Sequence, residues 1–120
     1  MRSIFLFFIT GFIFGCTNNN KIPENILSSQ KMERVLWDMI QADRFSALFL
    51  RKDSATKNVN LETLKLYEQV FQIHKVSRDN FVRSYKYYLS RPDLSKVIFD
   101  SISVKAERQK VNLYKTDSIK

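Results

Sequence analysis

Glycine is missing from the chain after residue 15, and this absence constrains the fold more than any other feature. Both glycines, Gly11 and Gly15, lie in the first apolar stretch. Without glycine, a chain has few residues that enter left-handed turns at low steric cost, so helices joined by polar loops are favoured. Apolar residues that recur every three or four positions after residue 28 agree with this. The sequence therefore predicts an all-α fold, a small bundle of about four helices.

The first fifteen residues have the pattern of a secretion signal. Arg2 supplies a positive charge, and an apolar run covers residues 4–14, which is too short to span a bilayer. Residues 13–16 (IFGC) resemble a bacterial lipobox, in which the cysteine is alkylated by diacylglycerol and the signal is removed. Several acyl chains hold a protein firmly at a membrane. We therefore predict a cleaved lipoprotein signal peptide and lipidation of Cys16; the alternative is an uncleaved apolar anchor.

Four segments follow from this interpretation. They are a signal peptide at 1–15, the lipidated cysteine and a flexible tether at 16–27, a helical domain at 28–106, and a basic, partly disordered tail at 107–120. Residues 17–21 carry none of the acidic residues that direct some lipoproteins to the cell surface. By resemblance to those signals, we expect the domain to be anchored in the outer membrane and to face the periplasm.

Apolar periodicity and capping residues predict the positions of the helices. The predicted ranges are about 29–51, 61–75, 78–90, and from 92 or 93 to 106. Ser28 or Ser29 can cap the first helix, and Asn60 and Ser77 can cap the second and the third. The second helix has the widest apolar arc and is predicted to be the most buried. Beyond Ala106 the apolar spacing fails, so an extended or fraying tail is expected.

The chain is basic, with a net charge of +8 at pH 7. In a cytosolic protein this charge would suggest nucleic acid as a partner, but an exported chain meets anionic lipid headgroups and cell-wall polymers instead. A solvated basic surface without a specific partner is the alternative. We predict contact with the membrane through the anchor, an envelope protein as docking partner, and no nucleic acid.

Asp43 lies in the middle of the apolar stripe of the first helix, where a buried, unpaired carboxylate would be costly, so it must have a partner or reach a wet edge. His74 is the only histidine, but antiparallel packing of the first two helices separates it from Asp43 by roughly 9 Å along the axis. Tyr67 lies at nearly the matching height, so we predict that its hydroxyl group bonds to Asp43. The three residues are interpreted as a structural polar core; the alternative is a binding or catalytic carboxylate.

The sequence has no recognisable catalytic or metal-binding motif. One histidine and one cysteine cannot supply a zinc motif. Phosphate-binding loops need glycines, which the chain lacks after residue 15. We therefore predict no enzyme activity, no cofactor and no metal site. An enzyme would require a pocket that holds Asp43 together with His74.

Two stretches of the chain carry a family resemblance. They are residues 35–43 (VLWDMIQAD) and residues 66–102, which include a YKYY motif and an RPD turn. Together with the lipobox they resemble a family of small lipoproteins of unknown function from Bacteroidetes-type bacteria. The resemblance implies an envelope lipoprotein without a known activity, and it assigns no catalytic residue to this chain.

Several side chains outside the main apolar stripes are candidates for an interaction surface. Trp37, Phe45 and Phe49 lie on the first helix. Arg83 and Tyr87 lie on the third helix and Arg91 follows it, in a basic setting. We predict that the domain is a protein-interaction module. The alternative is a chaperone-like binder of unfolded exported proteins, for which Trp37, Phe45 and Phe49 would line an exposed groove.

Overall fold

The computed structural model describes residues 21–50, 52 and 58–117. They form four α-helices: α1 (Ser29–Phe45), α2 (Val59–His74), α3 (Arg78–Leu89) and α4 (Pro92–Asp117). The π segment, Ser46–Leu50, continues α1 with a wider turn. In the described ranges there is no strand, and no helix is both long and apolar enough to cross a membrane. The predicted all-α bundle is confirmed, whereas the predicted signal peptide and Cys16 lie outside the described residues.

The limits of α1 are set by hydrogen bonds at its two ends. At the start, the Ser28 hydroxyl oxygen accepts a hydrogen bond from the Lys31 N–H at 3.3 Å, so Ser28 is the cap. At the other end, the Ser46 N–H bonds to the carbonyl oxygens of both Ala42 and Asp43. The regular helix therefore ends before the predicted residue 51 and widens into the π segment.

The cap of α2 is Asn58 and not the predicted Asn60. Asn58 Oδ1 accepts a hydrogen bond from the Leu61 N–H at 3.2 Å, so the helix starts at residue 59. Lys75 ends α2 in the left-handed conformation, with φ of 53° and ψ of 49°. Glycine usually occupies this position, and here a lysine adopts it at a steric cost.

The starts of α3 and α4 agree with the prediction, but the end of α4 does not. Ser77 Oγ accepts a hydrogen bond from the Asn80 N–H at 3.1 Å, and Pro92 is the first residue of α4. α4 then continues to Asp117, so the extended, partly disordered tail predicted from residue 107 is wrong as far as residue 117. Residues 105–110 (KAERQK) all favour helix, and a helix can continue without the apolar spacing on which the prediction relied.

α1 lies at the centre of the bundle and contacts the other three helices. The core consists of Met32, Val35, Val70, Phe71, Val76, Phe81, Tyr88, Ile98 and Ile102. The prediction that α2 is the most buried helix is wrong. α2 gives only Val70 and Phe71 to the core, and its Ile73 is 72% exposed.

α2 runs opposite to α1, whereas α4 runs in the same direction as α1. Side-chain contacts between α1 and α2 descend along the chain: Asp38 with His74, Asp43 with Tyr67, and Ser46 with Thr63. Contacts between α1 and α4 ascend: Glu33 with Lys105, and Arg44 with Gln109. The C-terminal ends of α1 and α4 therefore lie at the same end of the bundle, the distal end.

The segment before α1 is held against α3, at the end opposite the distal end. The Leu27 N–H donates to the Ser84 hydroxyl group, and the Tyr88 hydroxyl group donates to the Leu27 carbonyl oxygen, both at 2.8 Å. Ile22 and Ile26 pack against the core as well. The flexible tether predicted at 16–27 is therefore wrong for residues 22–27, because apolar contacts fix this segment.

Candidate functional site

Asp43 and Tyr67 form the predicted hydrogen bond between α1 and α2. The Tyr67 hydroxyl group donates to Asp43 Oδ1. Burial, followed by the hydrogen bond to Asp43 and the negative charge of Asp43, raises the pKa of Tyr67 to about 12. Asp43 itself is exposed, so it has both the partner and the access to solvent that were expected as alternatives for this carboxylate. Its carboxylate reaches solvent at the edge of the helix pair, which avoids the cost of burial.

His74 pairs with Asp38 and not with Asp43. His74 Nε2 lies 2.6 Å from Asp38 Oδ2, and the histidine side chain is only 13% exposed. Asp43 and His74 thus belong to separate pairs, in agreement with their predicted offset along the helices. Sequence analysis missed Asp38 as the partner, although the register that sets residue 67 beside residue 43 also sets residue 72 beside residue 38.

A polar groove opens beside the Asp43–Tyr67 pair, where α1 passes into the π segment. Its volume is about 620 Å³, and it is lined by Asp43, Ser46, Ala47, Val59, Asn60, Thr63, Leu64 and Tyr67. The hydroxyl oxygens of Thr63 and Ser46 lie 2.8 Å apart. These groups can bind a polar ligand, but the lining holds no histidine or lysine that could activate a nucleophile. Nowhere in the described ranges do three His, Cys, Asp or Glu residues meet as a metal site would require.

Two of the predicted interaction residues are partly covered. Trp37 is half-buried against the core, and Lys105 Nζ lies 6.0 Å from its ring centroid. Tyr87 is half-buried as well and meets Tyr88 edge to face, with 5.5 Å between the ring centroids. Both rings pack against the core and keep part of their surface open, so their assignment to an interaction surface stays a prediction.

The basic residues near Tyr87 do not form a common patch with an exposed aromatic ring. Arg91 makes two hydrogen bonds with the Asp93 carboxylate, at 3.1 Å and 2.9 Å. This contact raises the pKa of Arg91 and lowers the pKa of Asp93. Arg83 is exposed on α3. Tyr87 is half-buried and lies near Arg91, so this surface offers only part of an aromatic ring beside the basic residues.

Phe45 and Phe49 are exposed at the distal end. Phe45 is 46% exposed and Phe49 is 59% exposed, and their ring centroids lie 5.0 Å apart. Leu48, which sequence analysis did not include among the candidates, is 54% exposed. A cluster of exposed apolar side chains marks an interaction site more often than a single one does.

α4 contributes a second apolar surface to the distal end. A groove of about 610 Å³, the distal groove, is lined by Arg44, Ala106, Glu107, Lys110, Leu113 and Tyr114. On the same part of α4, Val111 is 48% exposed and Leu113 is 56% exposed. Sequence analysis missed this surface because it predicted an extended tail, in which no helix face is formed.

Two cations, Arg44 and Lys110, line the distal groove together with the carboxylate of Glu107. Arg44 Nη1 donates to Gln109 Oε1, a neutral acceptor, at 2.8 Å. None of the ion pairs in the described part of the chain includes Arg44, Arg108, Lys110 or Lys115. The distal groove thus combines apolar side chains with unpaired positive charge.

The fold and these surfaces define a small all-α domain with a docked N-terminal segment and an exposed, basic distal end. The chain belongs to the family described as "Domain of unknown function (DUF4296)", which matches residues 23–112. The match includes all of α1, α2 and α3 and most of α4. The predicted membership of a family of unknown function is confirmed. Searches of curated proteins and of solved structures found no match.

Proposed function

We propose that this protein is a lipid-anchored component of the cell envelope whose helical domain docks on another envelope protein in the periplasm. The signal-like residues 1–15, the lipobox-like sequence before Cys16 and the resemblance to small lipoproteins of Bacteroidetes-type bacteria support the anchor. The observation that carries the docking role is the exposure of Phe45, Leu48 and Phe49 at the distal end.

The composition of the distal end is that of a protein interface. Aromatic and arginine side chains are enriched at the centres of interfaces, where a few of them carry most of the binding energy. Phe45, the last residue of α1, lies close to Phe49 on the π segment, and Arg44 precedes them. These groups suit a protein partner better than a small polar molecule.

The position of the distal end also favours a partner away from the anchored bilayer. Leu27 is held at the start of α1, and Phe45 lies about 24 Å from Ser29 along the helix axis. Residues 17–21, between Cys16 and the held segment, reach at most about 18 Å when extended. This arrangement supports an orientation in which the distal end points into the periplasm.

The docking role is tested by crosslinking the protein in cells and purifying it from detergent-solubilised envelopes. We expect one partner in stoichiometric yield. Phe49→Asp should abolish its recovery, whereas Ile73→Asp, at an exposed residue near the C-terminal end of α2 and away from the distal end, should not. Equal recovery with both variants would reject the distal end as the docking surface, and the absence of any specific partner would reject the docking role.

The anchor is tested separately by mass spectrometry of the mature protein. Residue 16 should be the first residue and should carry diacylglycerol, and Cys16→Ala should carry no acyl chain. A wild-type chain without acyl groups would refute the anchor and leave the docking role standing.

The exposure of Phe45 and Phe49 also supports a second candidate, a chaperone-like binder of unfolded exported proteins. Trp37, which this function would place in the same groove, is half-buried, so the aromatic surface is shorter than expected. The crosslinking experiment separates the two functions. Many clients in low yield would indicate the chaperone-like binder, and a single partner in stoichiometric yield indicates the docking module.

A further inference from the structure

We propose that the distal groove between α1 and α4 binds an amphipathic helix of the partner protein, with acidic residues beside the apolar face of that helix. This inference rests on the docking role proposed above and adds the site and the chemistry of the partner. The lining of the groove, its charge and its position in the bundle carry it.

The distal groove offers apolar lining that one face of a helix can cover. Its volume is about 610 Å³, and Ala106 and Leu113 give it apolar lining on α4. Residues 110–117 of α4 extend about 12 Å past Gln109, which bonds to α1. An amphipathic helix in such a groove buries the apolar side chains that recur every three or four residues along one face.

Apolar side chains near the end of α4 are exposed, and a partner helix would cover them. The last buried core residue of α4 is Ile102, whereas Val111 and Leu113 are 48% and 56% exposed. Helices in proteins gain most of their stability when an apolar face packs against a neighbour. A helix laid against Leu113 would bury apolar surface that this chain leaves exposed, and would thereby stabilise the end of α4.

The charge of the distal groove selects an acidic partner. Two cations, Arg44 and Lys110, and one carboxylate, Glu107, line the groove. Two more cations, Arg108 and Lys115, lie along the same stretch of α4 but on another face of the helix. In the part of the chain that the structure describes, none of these four cations has an ion-pair partner. Complementary charge at an interface speeds association and excludes partners of the same sign.

A second copy of the chain and the anchoring bilayer fit the distal groove less well. The chain has a net charge of +8, so two distal ends in contact would bring like charges together. The bilayer that holds Cys16 lies on the side of the docked N-terminal segment, because Leu27 is bonded to α3 at the other end of α1. An acidic helix of another protein is the occupant that satisfies both charge and position.

The site is tested with a photo-crosslinking amino acid at residue 113 of the full lipidated chain in cells, and at residue 97 as a control. Leu113 and Val97 are both exposed on α4, at 56% and 64%, but they lie toward opposite ends of the helix. We expect crosslinks to the partner from residue 113 only. Mass spectrometry should identify a partner segment with apolar residues at helical spacing and more acidic than basic residues.

Four outcomes of this experiment would overturn the inference. They are crosslinks to the partner from residue 97 only, a crosslinked partner segment that is basic, an adduct with a lipid, and a crosslink to a second copy of this chain. Recovery of a stoichiometric partner that crosslinks only outside the distal groove would leave the docking role standing. Recovery of no specific partner at all would reject both proposals.

Charge reversal tests the acidic character of the partner. Lys110→Glu should lower partner recovery at least tenfold, equivalent to about 1.4 kcal/mol of binding free energy. Lys86→Glu, at an exposed lysine of α3, makes the same change of charge away from the groove and should leave recovery unchanged. Unchanged recovery with Lys110→Glu would overturn the acidic partner.

Discussion

At the scale of single residues, Tyr88 ties the N-terminal segment to the core. Its side chain is almost fully buried, and its hydroxyl group donates to the Leu27 carbonyl oxygen at 2.8 Å, with Ser29 Oγ at 3.3 Å. Burial raises the pKa of Tyr88, against the opposing effect of the hydrogen bond with Ser29. The neutral phenol therefore remains a hydrogen-bond donor across the physiological pH range.

We expect Tyr88→Phe to lower the free energy of unfolding by about 1–3 kcal/mol, because the variant leaves the Leu27 carbonyl oxygen without its donor. Tyr85→Phe is the control. Tyr85 packs against the same core, and its hydroxyl group has no hydrogen bond among the described residues. That control should change stability by less than about 0.5 kcal/mol. Urea unfolding followed by the fluorescence of Trp37, the sole tryptophan, measures both; equal losses would assign the effect to something other than the Tyr88 hydroxyl group.

Glu33 links α1 to α4 through an ion pair with Lys105, with 2.6 Å between Oε1 and Nζ. The hydrogen bond from Lys105 lowers the pKa of Glu33 below its ordinary value of 4.5, and burial opposes this effect. A carboxyl group whose pKa is lowered by folding stabilises the fold at pH values above its unfolded-state pKa. That contribution is lost as the pH falls through the lowered, folded-state pKa.

Glu33→Gln should therefore lower stability at neutral pH and weaken the loss of stability as the pH falls below the unfolded-state pKa of Glu33. The control is Glu107→Gln, at an exposed carboxylate of α4 that forms no ion pair within the described ranges. It should leave the pH dependence unchanged. Urea unfolding across the acid range measures both variants, and a Glu33→Gln curve with the wild-type slope would contradict the prediction.

At the scale of helices, capping decides where α2 begins. Asn58→Ala should lower the free energy of unfolding by about 1 kcal/mol, because the Leu61 N–H loses its acceptor. Asn60→Ala lies inside the helix and should be neutral or slightly stabilising, since alanine favours helix more than asparagine does. Thermal unfolding compares the two variants. A larger loss of stability from Asn60→Ala would show that Asn60, the residue predicted from the sequence, is the cap.

The helices also show which parts of the fold local sequence could predict. The caps Ser28 and Ser77 and the start at Pro92 agree with prediction, because each depends on hydrogen bonds or φ angles within one turn. The end of α4 does not agree, because apolar spacing reports which face of a helix is covered and not whether the helix continues. For the same reason, the exposed apolar surface on α4 could not be predicted.

At the scale of the whole molecule, stability and docking are expected to lie in different parts of the chain. A chain that ends at Lys110 loses no buried core residue and should lose less than about 1 kcal/mol of unfolding free energy. It should nevertheless fail to recover the partner. Ile98→Ala creates a cavity at a residue that is 2% exposed and should cost about 2–5 kcal/mol. Urea unfolding measures the stability of both variants, and crosslinking measures partner recovery by the shortened chain. A large loss of stability in the shortened chain would contradict the prediction.

The polar contacts between α1 and α2 show how far sequence reasoning reaches into the site. The rise per residue and an assumed antiparallel packing were enough to place Tyr67 beside Asp43 and to separate His74 from Asp43. The same reasoning did not reveal that Asp43 is exposed. Whether a side chain is exposed depends on where a third helix packs against the pair. The register between two helices gives no information about that position.

The sequence by itself determined the helical class, three helix starts and the register of α1 against α2, because these follow from local backbone preferences and helix geometry. Only the tertiary structure decided which side chains are covered. It placed α1 at the centre of the bundle. It covered part of the Trp37 and Tyr87 side chains and left Phe45 and Phe49 exposed. The distal groove exists because α4 runs parallel to α1 and ends beside it. Such contacts join residues more than sixty positions apart, as Arg44 and Gln109 are, and no local pattern encodes them.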